Sequence, residues 1–370
     1  MAMEQGRGAG HLLLFPFLAQ GHLIPFLNLA RRIESLGQLR GGGRGAPAVT
    51  IVSTPRNVAG LWRAVPAGSS IGFAELPFSP SDHGLPPDAE SADTISLMAF
   101  PVFFSATESL RLPFEKLLAE LAGREGCKNV CVLADIFLGW TAESARDLGV
   151  QHRVFLTAGA YASAVVFSIW LHPPTFPRPV ADDDEQPLPD FPDVRVRYVE
   201  FLNVIFSEDT ANPMLAYLRR TLNLHFRHSG GGEWLPDGFE GRAAAAARGL
   251  VVRRWAPQVR ILSLWHGVPV LGWPLMSDQL FDSRMLKELG VGVEVASGRM
   301  FGGLDTAEGW ERVRDAVETV LGAGERARDM RRKAAELRKL VRAAVEAEGD
   351  DGAKGSSVLA MERLLDTAFC

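Results

Sequence analysis

Apolar residues run through the first half of this chain in short unbroken blocks, and turn residues and stretches of helical period separate them. His11 to Phe17 (HLLLFPF) is such a block, the pattern of a strand buried on both faces of a parallel sheet. The turn Ala19-Gln20-Gly21-His22 follows, then apolar positions Ile24, Leu27, Leu29, Ala30 and Ile33 at helical spacing. Ala48 to Thr54 and Ile71 to Phe78 read as further strands, Ser109 to Ala122 as a helix and Val130 to Asp135 as a strand. A helix from Trp140 to Leu148, a strand from Val154 to Thr157 and a small-residue helix from Gly159 to Ile169 continue the alternation. Strand, turn and helix repeating in this order make an α/β, doubly wound opening.

The second half has fewer strands. Leu250 to Val252, Val270 to Trp273 and Val291 to Val295 are candidates. From Asp305 onward the pattern is helical, with a stripe at Trp310, Val313, Ala316, Val317 and Val320, and a last helix from Val358 to Phe369. The basic run Arg326 to Arg342 carries Met330, Ala334, Leu337 and Val341 at helical spacing, so it reads as a packed helix with a solvated face rather than an anion site. The acidic run Asp182 to Glu185 lies among prolines and reads as a solvated loop rather than a metal site.

Composition adds bounds. With 370 residues, 47% of them apolar and 22% charged, the chain is long enough for one large or two medium soluble domains. A net charge of −5 argues against nucleic acid as a partner. Cys127, Cys131 and Cys370 are too few for a disulfide framework, which points to a reducing compartment. No run reaches the ~18–20 apolar residues of a membrane span, and Pro16 breaks the N-terminal run, so a cytoplasmic protein is expected.

Ligands in doubly wound sheets bind at the carboxyl ends of the strands, where His22 and Asp135 both fall. A helix N-terminus favours the neutral, proton-accepting imidazole, and a carboxylate on a neighbouring strand can hold one ring nitrogen. Read alone, the same residues are better explained by a capping Asp and a surface His. In the second half, Trp255 to Gln279 (WAPQVRILSLWHGVPVLGWPLMSDQ) begins with an indole suited to stacking on a flat ring. It ends in a carboxylate and an amide suited to neighbouring hydroxyls. Core aromatics and a helix cap would explain the same residues.

The stretches FLAQGHLIPFLNLA, VLADIFLGWTAESARDLGV, LPFSPSDHGLPPDAES and VFLTAGAYASAVVFSIWLH, together with the WAPQ to DQ box, resemble plant family 1 UDP-sugar glycosyltransferases. The resemblance implies a GT-B-like α/β fold of two doubly wound, Rossmann-like domains. Residues 1–228 would form the acceptor-binding domain and 229–352 an incomplete donor domain, with 353–370 a helix packing back on the first. It further implies inverting transfer of a hexose, glucose foremost, from a UDP-sugar to a small phenolic or similar acceptor, with no metal and no cofactor beyond the co-substrate. His22 would be the base and Asp135 its partner. Trp255 would stack on uracil, Ala256 would meet the base through its backbone and Gln258 the ribose. Asp278 and Gln279 would hold the sugar, and Thr157 with the apolar 159–169 segment would line the acceptor pocket.

The chain departs from the family at two places. The His, Gly-rich strand and HCGWNSxxES segment expected in the middle of the donor box are absent, since Ser263 is followed at once by Leu264-Trp265-His266-Gly267. Around Ser229 to Gly232, a long region bearing the first donor-domain strands and a Gly/Ser phosphate loop is also missing. The remaining strands resemble three, five and six of an order 3-2-1-4-5-6, so they are expected to leave unbonded edges. Impaired transfer is the expectation. The alternatives are a non-catalytic small-molecule or protein-binding remnant, or the product of skipped coding segments.

Overall fold

The computed structural model describes residues 10–39, 47–205, 213–228, 265–274, 278–295, 307–345 and 354–369. The chain divides into two compact units. The first comprises Met1–Thr157, Ala216–Leu235 and Ala360–Cys370; the second comprises Ala158–Leu215 and Pro236–Leu359. The segments 1–228, 229–352 and 353–370 drawn from the sequence are therefore apportioned differently, because 158–215 groups with later chain.

Five parallel strands form the first unit's sheet: β1 (His11–Phe15), β2 (Ala48–Ser53), β3 (Gly72–Glu75), β4 (Val130–Asp135) and β5 (Gln151–Phe155). Their order is β3-β2-β1-β4-β5, the reversal of a doubly wound sheet about β1 and β4. The helices here are α1 (Gln20–Leu39), α2 (Pro55–Ala64), α3 (Phe100–Ala106), α4 (Arg111–Glu125) and α5 (Trp140–Asp147). Every residue of β4 is buried, and so are Leu12 to Phe15 of β1, which is why both read as unbroken apolar runs. On α1 the buried stripe is Leu23, Phe26, Leu27, Ala30 and Ile33, whereas Ile24, which the sequence pattern placed inward, is exposed. A step of four residues from 23 to 27 keeps that stripe on one face; Ile24 falls to its flank. β5 starts three residues earlier than its apolar run, at Gln151. It is the sheet's edge strand and only half-buried, so polar Gln151, His152 and Arg153 sit in it without cost.

The second unit contains α6 (Ala160–Leu171), the antiparallel pair β6 (Glu185–Pro187) and β7 (Arg195–Arg197), and α7 (Tyr198–Ile205). A helix α8 (Pro213–His228) returns to the first unit. The parallel pair β8 (Val270–Gly272) and β9 (Gly292–Glu294) follows, with α9 (Asp278–Glu288) between its strands and α10 (Ala307–Leu321) and α11 (Glu325–Val345) after it. The final helix α12 (Ser356–Thr367) places Leu365 and Ala368 in the first unit's core beside β1, β2 and α1. Strands β8 and β9 pair as the fifth and sixth strands of a full sheet would; the candidate at 250–252 lies outside the described residues.

Within the second unit, Ala162, Val165 and Ile169 of α6 pack with Leu188, Val196 and Phe281. A charge network covers this core. Glu200, fully buried, accepts from Arg197 Nη2 at 2.7 Å and from Arg284 Nη1 at 3.0 Å, tying α7 to α9. The basic helix α11 buries Ala327, Met330 and Ala334, and Ala334 packs with Leu337 against Leu286 and Val291.

Candidate active site

Three adjacent strands, β1, β4 and β5, each deliver one polar side chain to the same edge of the sheet. The chain leaving β1 turns through 16–19 into α1, and His22 is the third residue of that helix. Asp135 is the last residue of β4 and is fully buried. Thr157 stands two residues beyond the end of β5.

The three side chains meet at one nitrogen. His22 Nδ1 lies 2.7 Å from Asp135 Oδ2 and 3.0 Å from Thr157 Oγ1. Asp135 Oδ1 accepts the backbone N–H of Phe137 at 3.0 Å, so both carboxylate oxygens have donors. A buried carboxylate needs them, because an unpaired one costs several kcal/mol. This network assigns the imidazole proton to Nδ1. The lone pair is then on Nε2, for which no hydrogen bond is found among the described residues, and the His22 side chain is 18% exposed. Such a nitrogen can take a proton from a bound hydroxyl, while Asp135 stabilises the imidazolium that results.

The backbone under His22 is fixed from both sides. Ala19's carbonyl accepts the N–H groups of His22 and Leu23 at 2.9 and 2.8 Å. Asp93 Oδ1 accepts the Gln20 N–H at 3.3 Å and the Ser91 hydroxyl at 2.8 Å, capping α1 from a distant loop. Aromatic rings frame the imidazole: Phe17 edge-on at 5.6 Å and Phe137 tilted at 5.3 Å. Phe104 stacks on Phe17 at 4.5 Å, and the Tyr217 hydroxyl donates to the Phe137 carbonyl at 2.9 Å. Burial pushes the Tyr217 phenol above its ordinary pKa, so it stays a neutral donor.

The sequence pattern had not singled out these rings. Phe17 and Phe137 lie within the FPF and DIFLGW motifs, so position next to His22 and Asp135 was a usable signal; Tyr217, on α8, had none.

In the second unit, Asp278 and Gln279 are the first two residues of α9, both half-buried, just past β8. Trp255, Ala256 and Gln258 lie outside the described residues. Gly159 and the α6 segment belong to this unit, where α6 is part of its core. Among the described residues no group of three His, Cys, Asp or Glu side chains could hold a metal, and no helix is long and apolar enough to cross a membrane. Cys127 is exposed and Cys131 buried, both as free thiols.

Comparison with known proteins shows what the chain is similar to. No family model matches. UDP-glycosyltransferase 92A1 of Arabidopsis thaliana is 28% identical over 483 residues, covering 97% of this chain and 97% of that protein. The chain is homologous to the plant UDP-glycosyltransferases. Crocetin glucosyltransferase 3 of Crocus sativus is 26% identical over 75% of this chain and 84% of its own. The first alignment spans 483 positions against the 370 residues here, so more than a hundred positions have no counterpart in this UDP-glycosyltransferase homologue. Among solved structures, Glycyrrhiza uralensis UGT73P12, complexed with glycyrrhetinic acid 3-O-monoglucuronide, has a TM-score of 0.65 at 16% identity, covering 97% of this chain and 95% of that one. Medicago truncatula UGT71G1, complexed with UDP-glucose, gives 0.62 at 14% identity, with 98% of each chain covered. These likenesses set the fold of the homologue as GT-B, α/β with a parallel sheet.

Proposed function

We propose that this protein is a cytoplasmic glycosyltransferase that moves a hexose, glucose foremost, from a UDP-sugar to a hydroxyl of a small phenolic metabolite, at a reduced rate. The acceptor hydroxyl gives its proton to His22 Nε2, and its oxygen forms a bond to the anomeric carbon. The bond from that carbon to UDP breaks as UDP leaves with the electron pair, inverting the centre. Asp135 balances the imidazolium. Phe17 and Phe137 offer apolar faces to an aromatic acceptor, and Thr157 borders the same site. On the donor side, Asp278 and Gln279 hold sugar hydroxyls, Trp255 stacks on uracil, Ala256 meets the base and Gln258 meets the ribose. No metal takes part.

The observation that carries this reading is the 2.7 Å contact between His22 at a helix start and a fully buried Asp135, with Nε2 left free of protein partners among the described residues. The reduced rate follows from the missing centre of the donor box. Loss of one group that stabilises the leaving oxygens costs about 10²–10³ in rate.

The test is release of UDP and glycoside by purified protein given UDP-glucose and a panel of phenols, with calorimetry of UDP and phenol binding alongside. The expected outcome is product formed at least about 100-fold more slowly than by a full-length relative, and none from His22→Ala. Turnover matching the relative would overturn the impaired donor side. Phenol binding without UDP binding or product would make the protein a small-molecule binder.

A further inference from the structure

We infer that Thr157 is a positioning residue for His22, sharing the Nδ1 proton with Asp135 and fixing the ring that the proposed transfer uses as its base. The inference rests on that functional reading but stands on its own geometry. Asp135 Oδ2 at 2.7 Å and Thr157 Oγ1 at 3.0 Å both face Nδ1. A ring nitrogen carries one hydrogen, and Asp135 in its ionised form can only accept. Nδ1 therefore carries the hydrogen, and the Thr157 oxygen meets it as a second acceptor in a three-centre bond.

The arrangement is a consequence of the sheet. Register pairs Asp135 with Phe155 across β4 and β5, so Thr157 overhangs the end of β5 beside the carboxylate. The β1 to α1 turn brings His22 to the same edge. One acceptor alone leaves an imidazole free to swing about that bond. Two acceptors converging on one N–H define the ring plane, and with it where the Nε2 lone pair points. Phe17 and Phe137 border the ring at 5.6 and 5.3 Å but offer its nitrogens no hydrogen-bond acceptor.

The distinguishing substitution is Thr157→Val, which keeps the branched shape and removes only the oxygen; Thr157→Ser restores the oxygen without the methyl group. In the ligand-free protein, nitrogen-15 NMR of the His22 ring reads exchange of the Nδ1 proton with water. Losing one acceptor should speed that exchange about two- to tenfold in Thr157→Val and leave Thr157→Ser near the parent rate. In the transfer assay kcat should fall by a similar factor in Thr157→Val with the acceptor KM changed less than about twofold, and Thr157→Ser should recover it. A role in packing alone would be met by valine. Parent-like proton exchange in Thr157→Val overturns the assignment whether or not sugar is transferred. Should the parent protein transfer no sugar, the proposed activity falls while the exchange measurement still decides the role of Thr157.

Discussion

Replacing Asp135 with Asn tests the site's electrostatics with little change of shape. Asp135 Oδ1 accepts the Phe137 N–H at 3.0 Å, and that donor fixes how an amide would sit. Its oxygen must stay on Phe137, which turns the NH2 toward His22 Nδ1. Two donors cannot face each other, so Nδ1 gives up its proton and the ring changes tautomer to Nε2–H. The nitrogen facing the open side of the site then cannot accept. The charge is lost too. A unit pair about 4 Å apart at an effective dielectric of about 20 interacts by about 4 kcal/mol. Removing that support from the developing imidazolium lowers the proton-transfer rate about 10³-fold. The assay pairs kcat for glycoside formation with nitrogen-15 shifts of the His22 ring in the free protein. The expected result is an Nε2–H ring together with a fall of about 10³ in kcat. A ring that keeps its proton on Nδ1, or a rate within tenfold of the parent, would refute this account of the site.

The remaining predictions concern the fold. Glu200→Gln puts an amide nitrogen against one of two guanidinium groups, Arg197 or Arg284, in a buried setting and should cost about 3 kcal/mol in urea unfolding, the low end for breaking a buried pair because both arginines are partly exposed. In Gly139→Ala the new methyl carbon would lie 2.6 Å from the Thr221 carbonyl oxygen and 2.8 Å from its Cα, both backbone of α8, so a loss of about 1–3 kcal/mol is expected in thermal unfolding. Burial pushes the Cys131 thiol up to about 11 from its ordinary 9.0. The folded chain then holds a proton that the unfolded chain loses, so stability is full below pH about 9 and declines by about 2–3 kcal/mol as pH rises to about 11. Cys131→Ala should flatten that slope, and an alkylating reagent at pH 8 should label exposed Cys127 in the native protein while sparing Cys131.

Much of the first unit was legible because its strands are buried on both faces. β4 was readable to the residue from VCVLAD, with a carboxylate closing an apolar run. β5 was misplaced by three residues because an edge strand keeps polar side chains, and period alone cannot see them. His22 and Asp135 stand 113 residues apart, yet both follow from one rule, that polar groups at strand ends in a doubly wound sheet gather at one edge. The Nδ1 contact of Thr157 was not legible, since it depends on side-chain direction beyond the end of β5. Tyr217 reaches the site on a returning helix, and no periodicity announces which distant helix returns.

The second unit shows a different limit. The family resemblance places segment 158–215 in the first unit, and the helix read at 159–169 continues that unit's alternation. In the structure its α6 shares a core with Phe281 of α9, and its Glu200 is locked between Arg197 and Arg284. Phe281 and Arg284 lie on one helix, three residues apart and so on neighbouring faces, with the apolar contact beside the charged one. A pairing of this kind is set by which faces remain uncovered once the local elements have formed. Among the described residues β8 and β9 form a sheet of two strands, so α9 has little sheet to cover and its apolar side needs another partner. The α6 helix meets that need with Ala162, Val165 and Ile169, small or branched side chains that let Phe281 approach closely. Glu200, buried between two arginines, then fixes the register of that contact, since sliding α9 by one turn would strand a buried carboxylate beside a single cation.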